Sequence, residues 1–363
     1  MRVERVGPGR PPVAAGGPDG GATAPVLARD VVVGGERWAK GRRLSAADLA
    51  ALASGGPTEG VSVVVPGPDE LHEDEAALRL AHALVGGDPA AAGLILRGPS
   101  ESRVDLIAAA DGVATIDAGR LERVARIEPL GPFSILDGQA VAAGDLVASV
   151  KVAPHVVAAG IVDRGIEAAR RGRGPAIRVA PYLRRRVAAL VKGPVADGAR
   201  ARFEASVREK VECLGSTLVA VRYEPAEPAA LERALRELVR GRDRADVILT
   251  AGAGSSDPAD PLFLGLAAAG GRVLRHGVPA HPGSMIWLGR LGRTTLVGVP
   301  SCGAYSKATA VDLLLPWLLA GFPPNGRTVA RLAHGGVLSR SMRFRFPAYA
   351  RTLDAPERGP IAE

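Results

Sequence analysis

Residues 246–271 read DVILTAGAGSSDPADPLFLGLAAAGG, and residues 294–321 read TTLVGVPSCGAYSKATAVDLLLPWLLAG. Each stretch is a short apolar run of strand type, then a Gly/Ser loop, then an apolar helical run that stops at glycine. Upstream, VAALV (187–191) and TLVAV (217–221) repeat the strand signal, while GARARFEASVREKVECLG (198–215) and PAALERALRELVRG (228–241) repeat the helix signal. Short strands are expected at about 272–275 and 285–288. Strands alternating with long helices predict an α/β fold, a three-layer parallel-type sheet with helices on both faces. This domain is placed at 187–323.

The preceding sequence changes character. Short Val/Ala/Leu runs broken by Gly-Asp and Asp-Gly turns predict a smaller α+β domain over 26–165. In it, Ser45 reads as the cap of a helix, Val61 to Val65 as a strand, and the acid-led segment from Glu73 as an amphipathic helix. The acids of His72-Glu73-Asp74-Glu75 fit the positive end of that helix rather than a metal cluster, since consecutive helical residues point in different directions. Residues 1–25, rich in Gly, Pro and Ala, read as a flexible tail. Residues 166–186, with Arg170, Arg171, Arg173, Arg178, Arg184, Arg185 and Arg186, read as a basic connector, either a solvated linker or an electropositive rim. Residues 324–363 form a C-terminal extension.

The chain has 363 residues, of which 47% are hydrophobic and 23% charged, a globular balance that excludes a wholly disordered protein. Two cysteines are too few for a disulfide framework or a four-cysteine zinc site, and Cys213 is expected in the core. No apolar stretch is long enough to span a membrane, and a cytoplasmic location is expected. Forty-six Lys and Arg against 38 Asp and Glu give a net charge of +8, which suits an anionic partner. Aromatic residues make up only 4%, which disfavours nucleic acid read by base stacking.

Ligands of open parallel sheets bind beyond the carboxyl ends of the strands. Two loops qualify. The first contains Gly252, Gly254, Ser255, Ser256 and Asp257, whose amides and hydroxyls suit phosphate oxygens. The second contains Pro300, Ser301, Cys302, Gly303, Ser306 and Lys307. Neither has Walker A spacing or the dinucleotide glycine fingerprint. Asp257 and Asp260 are candidates to hold Mg²⁺ through water, with a phosphate completing its shell, and to serve catalysis, while Asp260-Pro261 equally reads as a helix cap. Lys192, at the end of VAALV, is a candidate positive contact, and His281, Pro282, Gly283 and Ser284 form a turn that would line the ligand. Cys302 lacks an assignable base, and no serine triad, zinc motif or carboxylate pair is present.

From Asp246 to Gly321, and less sharply back to Val187, the sequence resembles the molybdenum cofactor biosynthesis domain, in particular a molybdopterin molybdotransferase-like subgroup. The shared order is a strand, a Gly/Ser loop with a following Asp, a helix ending in Gly-Gly, a Pro-Gly turn, a strand with a second loop, and a long helix. WAKGRRLSAADLAAL, HEDEAA and LVASVKVAP are similar to segments of the same subgroup. The resemblance implies molybdopterin, or its adenylylated form, as ligand or substrate held by both loops, with molybdate and Mg²⁺ as the chemistry. It places Asp260 at the family's functional Asp and Ser256 or Gly254 at its ligand contact. It also implies subunit pairing and, for a non-catalytic carrier, a separate nucleotidyltransferase as partner. The departures are Ala251 for the first loop Gly, His281 and Ser284 where lysines flank the Pro-Gly turn, and Ser301-Cys302-Gly303 for Gly-Asn-Pro.

Overall fold

The computed structural model describes residues 1–10, 13, 24–100, 102–253, 256–299 and 308–351. The chain forms two compact units. One comprises Met1–Ala110, Ala114–Asp137 and Ala143–Val179, the other Asp111–Val113, Gly138–Ala142 and Ala180–Glu363. Helix and strand both contribute substantially, so the fold is mixed α/β.

The first unit is built on antiparallel pairing. Val61–Val65 has buried Val61, Val63 and Val65 alternating with half-buried neighbours, the period-two pattern of a strand with one covered face. It pairs antiparallel with Arg2–Val6 and with Val26–Leu27. Residues 2–6, read from sequence as tail, are therefore a strand. Val6 is its only buried residue, so the sequence shows no alternation there. Ser45 and Asp48 form a capping box on the helix Ala46–Gly55, with Asp48 N–H donating to Ser45 Oγ at 3.1 Å and Ser45 N–H to Asp48 Oδ2 at 2.9 Å. A second sheet runs Leu130–Ser134, Leu146–Val152, Arg103–Ala108, Leu94–Ser100, all antiparallel. The acid-led helix Glu73–Leu84 starts at His72, whose Nδ1 accepts the Asp74 N–H at 3.2 Å.

The stretch 166–186 contains the division between the two units at Val179 and Ala180, and it carries regular structure. It holds the end of the helix Ala159–Arg170 and the strand Ile177–Pro181, where buried Ile177 and Val179 flank exposed Arg178. Arg178 concealed the strand by occupying an outward position.

In the second unit, elements are numbered from its first full strand. β1 is Arg186–Lys192, β2 Thr217–Glu224, β3 Val247–Ala251, β4 Arg272–His276, β5 Trp287–Leu291 and β6 Thr294–Gly298. The order across the sheet is β2-β1-β3-β6-β5-β4. β2, β1, β3 and β6 are mutually parallel. β5 runs antiparallel to β6, and edge strand β4 pairs antiparallel with β5, so the sheet is mixed. The main helices are α1 (Asp197–Glu212), α2 (Pro228–Arg240), α3 (Pro261–Ala268) and α4 (Ala310–Leu319). Alternate strand residues enter different cores: Val187, Ala189, Val247 and Leu249 pack with Phe203 and Val207 of α1 and Leu314 of α4. Ala188, Leu190 and Ile248 pack with Leu231 and Leu235 of α2 and Leu262 and Leu266 of α3. Strands buried on both faces read as unbroken apolar runs, which is why VAALV and DVILT were legible.

Helix α4 is buried on every side, as its uniformly apolar sequence requires. Its one acid, Asp312, is fully buried and satisfied: it accepts the Thr309 N–H at 2.9 Å, the Lys210 ammonium, and the Tyr349 hydroxyl at 3.0 Å. Tyr349 belongs to the short helix α6 (Ala348–Arg351), which follows α5 (Gly326–Ala330) and the 3₁₀ turn Arg340–Arg345. The piece RSMRFRF is thus a turn that delivers buried Phe346 and Tyr349 to the core. Cys213, expected in the core, is an exposed residue at the end of α1. Among the described residues no helix is long and apolar enough to cross a membrane.

Candidate functional site

The chain leaves β1 towards β2 on one side and later passes to β3 on the other, so the strand order reverses between β1 and β3. The carboxyl ends of these two strands flank the crevice where open α/β sheets bind ligands. β1 ends at Lys192 and β3 at Ala251. β6 continues the row: Thr250 lies opposite Gly298, and Val299 N–H donates to the Thr250 carbonyl at 2.7 Å. β3 and β6 are therefore adjacent parallel strands that end at the same edge of the sheet.

Gly252 turns the chain out of β3 with φ +88°. A Cβ there would lie 2.5 Å from the Lys192 carbonyl oxygen, so only glycine permits this approach of the two strand ends. Asp260 then starts α3. Its Oδ1 accepts the Leu262 N–H at 2.9 Å, and Pro261 occupies the first helical position. Its Oδ2 meets Lys192 Nζ at 2.5 Å, with the two side chains 5% and 13% exposed. Cap and ion pair thus share one carboxylate, and the Lys192 charge is balanced where it sits. Asp257 is exposed, and its Oδ1 accepts the Ala259 N–H at 2.9 Å. Ser256 is also exposed.

The 281–284 turn sits at the start of α4. The Pro282 carbonyl accepts the Ala310 N–H at 2.9 Å, and a Cβ on Gly283 would lie 2.9 Å from Ala310 N. Gly283 (φ +111°) is buried, Pro282 and Ser284 are half-buried, and His281 is exposed. The His281 backbone is clamped by the C-terminal extension: its N–H donates to Gly336 O and its carbonyl accepts from Leu338 N–H, both at 2.8 Å. Sequence reasoning did not anticipate this strap, for which the Gly335-Gly336 pair was the available signal. Gly254, Ser255, Pro300, Ser301, Cys302, Gly303, Ser306 and Lys307 lie outside the described residues.

No family model matches the chain, and no curated protein does. Solved structures do. The chain is similar to a molybdopterin biosynthesis MoeA protein from Pyrococcus, at 15% identity and TM-score 0.30, over 66% of this chain and 72% of that one. It is also similar to the molybdopterin biosynthesis enzyme MoaB from Thermus, at 22% identity and TM-score 0.27, over 38% and 98% of the two chains. A third is the molybdopterin biosynthesis Mog protein from Mycobacterium ulcerans, at 16% identity and TM-score 0.26, over 37% and 92%.

The residues described at the crevice do not fit a resident Mg²⁺ at Asp260. Both of its oxygens are engaged, and an ammonium sits at the position a cation would take. Among the described residues no group of three or more His, Cys, Asp and Glu is placed to hold a metal ion. What the arrangement offers is backbone approach at Gly252, a balanced cation at Lys192, and the ends of β1, β3 and β6 side by side.

Proposed function

We propose that the second unit is a molybdopterin-binding domain of molybdenum cofactor biosynthesis, molybdotransferase-like and cytoplasmic, with the pterin phosphate in the crevice beyond β1, β3 and β6. On this reading the unit is the three-layer α/β sandwich expected from its sequence. The observation that supports the proposal is the Thr250–Gly298 register, which sets side by side the ends of the two strands that lead into the loops of the recognised sequence order. Gly252, Gly254, Ser255 and Ser256 would offer amides and hydroxyls to the phosphate. Gly283 and its neighbours, with Pro300, Ser301, Cys302, Gly303, Ser306 and Lys307, would close the opposite wall. Lys192, oriented by Asp260, supplies positive charge without mobility. Molybdate is here a substrate, transferred to bound molybdopterin or its adenylylated form, and no step is routed through Mg²⁺.

A second reading, a non-catalytic molybdopterin carrier that serves a separate nucleotidyltransferase, is favoured by one observation. Lys192 already has its counter-ion, which leaves little charge to hold a dianion such as molybdate. The test incubates the full-length protein with metal-free molybdopterin, follows retention by pterin fluorescence after desalting, then adds molybdate and measures protein-bound molybdenum. Retention followed by one molybdenum per pterin supports transfer. Retention without molybdenum selects the carrier, and no retention overturns both.

A further inference from the structure

A cavity of about 310 Å³ lies in the second unit at the end of the sheet opposite the crevice. Its lining includes Arg185, just before β1, Asp246, just before β3, and Thr295 at the start of β6. Because these three strands are parallel, all three residues mark their amino-terminal ends. Arg290 near the end of antiparallel β5 and Arg293 in the turn before β6 reach the same place, and Phe322 after α4 adds an apolar wall.

The charge here is unbalanced. Half-buried Arg185 and exposed Arg290 and Arg293 line it with one acid, Asp246, a surplus of two positive charges. Asp246 is occupied locally: its Oδ2 accepts the Arg186 N–H at 3.0 Å, and its own N–H donates to the Arg186 carbonyl at 2.7 Å. Arg186 turns its guanidinium away, to the carbonyls of Arg244 and Arg242 at 2.7 and 3.2 Å. Among the described residues no hydrogen bond or ion pair engages the guanidinium groups of Arg185, Arg290 or Arg293. Planar guanidinium forks match phosphate oxygens two at a time. Small-molecule sites begin at roughly 300 Å³, so the cavity exceeds what a lone oxyanion needs and suits a compact organic group as well.

We propose that this cavity is a second ligand site, which binds a phosphate monoester of a small metabolite with its dianionic head on Arg185, Arg290 and Arg293 and its organic part against Phe322. The site stands apart from the pterin crevice, and its test is independent of that reading. The full-length protein is titrated by calorimetry with inorganic phosphate and with ribose 5-phosphate at fixed ionic strength. Arg185→Gln and the double variant Arg290→Gln/Arg293→Gln are measured beside it, and thermal unfolding checks that both keep the fold. Saturable binding is expected, with the ester about tenfold tighter than phosphate and each lost guanidinium weakening it about tenfold. Lys192→Met is expected to leave this binding unchanged. Absence of saturation with both probes overturns the proposal, as does equal affinity in the arginine variants. Loss of binding in Lys192→Met would move the anion to the crevice. Equal affinity for phosphate and ester would refute the organic subsite.

Discussion

Removing the Asp260 carboxylate tests the central arrangement of the crevice. Asp260→Ala loses the cap on Leu262 N–H, which costs about 1 kcal/mol. It also strands the ammonium of Lys192, whose side chain is 13% exposed. Breaking a buried pair from one side costs about 3–5 kcal/mol, so a total near 5 kcal/mol is expected. Asp260→Asn keeps a capping oxygen and loses the charge, so it should cost about 1 kcal/mol less. Lys192→Met leaves the carboxylate with its amide and the helix dipole and should cost about 2 kcal/mol. The pair then predicts a coupling energy of at least about 2 kcal/mol in the Lys192→Met/Asp260→Asn double variant. Urea unfolding followed by circular dichroism, with m-values held constant, measures each corner of the cycle. Mg²⁺ should not raise the wild-type midpoint, because Lys192 occupies the carboxylate. Coupling below about 0.5 kcal/mol would refute the reasoning, since contacting residues normally couple by more. A Mg²⁺-dependent stabilisation that disappears in Asp260→Asn would also refute it and would return Asp260 to metal binding.

Three further outcomes follow from the packing and the titrating groups. Gly298→Ala would place a methyl group 2.0 Å from Trp287 Nε1, on a side chain with no exposure, so destabilisation of about 3 kcal/mol or more is expected by urea unfolding. Burial first, then the Asp312 charge, pushes the Tyr349 phenol well above its ordinary range. The folded state therefore keeps a proton that the unfolded state releases, and stability should fall as pH rises past about 10. Tyr349→Phe should flatten that decline in thermal unfolding scans between neutral and alkaline pH. At the acid end, burial of Asp105 acts to raise its pKa, but the Ser149 hydroxyl and the Arg97 and Arg103 charges outweigh it and hold the group below the usual carboxylate range. Its stabilising contribution is present above about pH 4 and lost as pH falls further, so Asp105→Asn should remove part of the acid sensitivity of unfolding.

The sequence was most legible where one physical constraint acted alone. VAALV, DVILT and TTLVGV are buried on both faces, so continuity of apolar residues was sufficient to mark them. The Asp260-Pro261 helix start was legible because capping is a local event. What escaped depends on partners distant in sequence. Residues 2–6 become a strand only because Val61–Val65 offers them hydrogen bonds. The strand around Arg178 was hidden by the charge on its outer face. Lys192 and Asp260 are 68 residues apart, and their choice of each other over a ligand could not be read from either loop. The antiparallel course of β5 between β4 and β6 is likewise set by pairing and turn geometry rather than by composition.

The position of charge matters more here than its sum. A net +8 invited the inference that positive residues surround the anion held by the loops. At the crevice, however, Lys192 is balanced by Asp260, whereas three arginines and a single acid, Asp246, line the far end of the same strands. β3 has five residues, and at a rise of about 3.3 Å each its two ends are separated by roughly 15 Å. That exceeds the physiological Debye length of about 8 Å, so solvent screens much of any influence of those arginines on the crevice. They cannot serve as the counter-charge for a phosphate bound there. On the proposed reading the crevice would then hold its ligand chiefly through backbone amides, a mode that accepts a phosphate ester more readily than a free dianion.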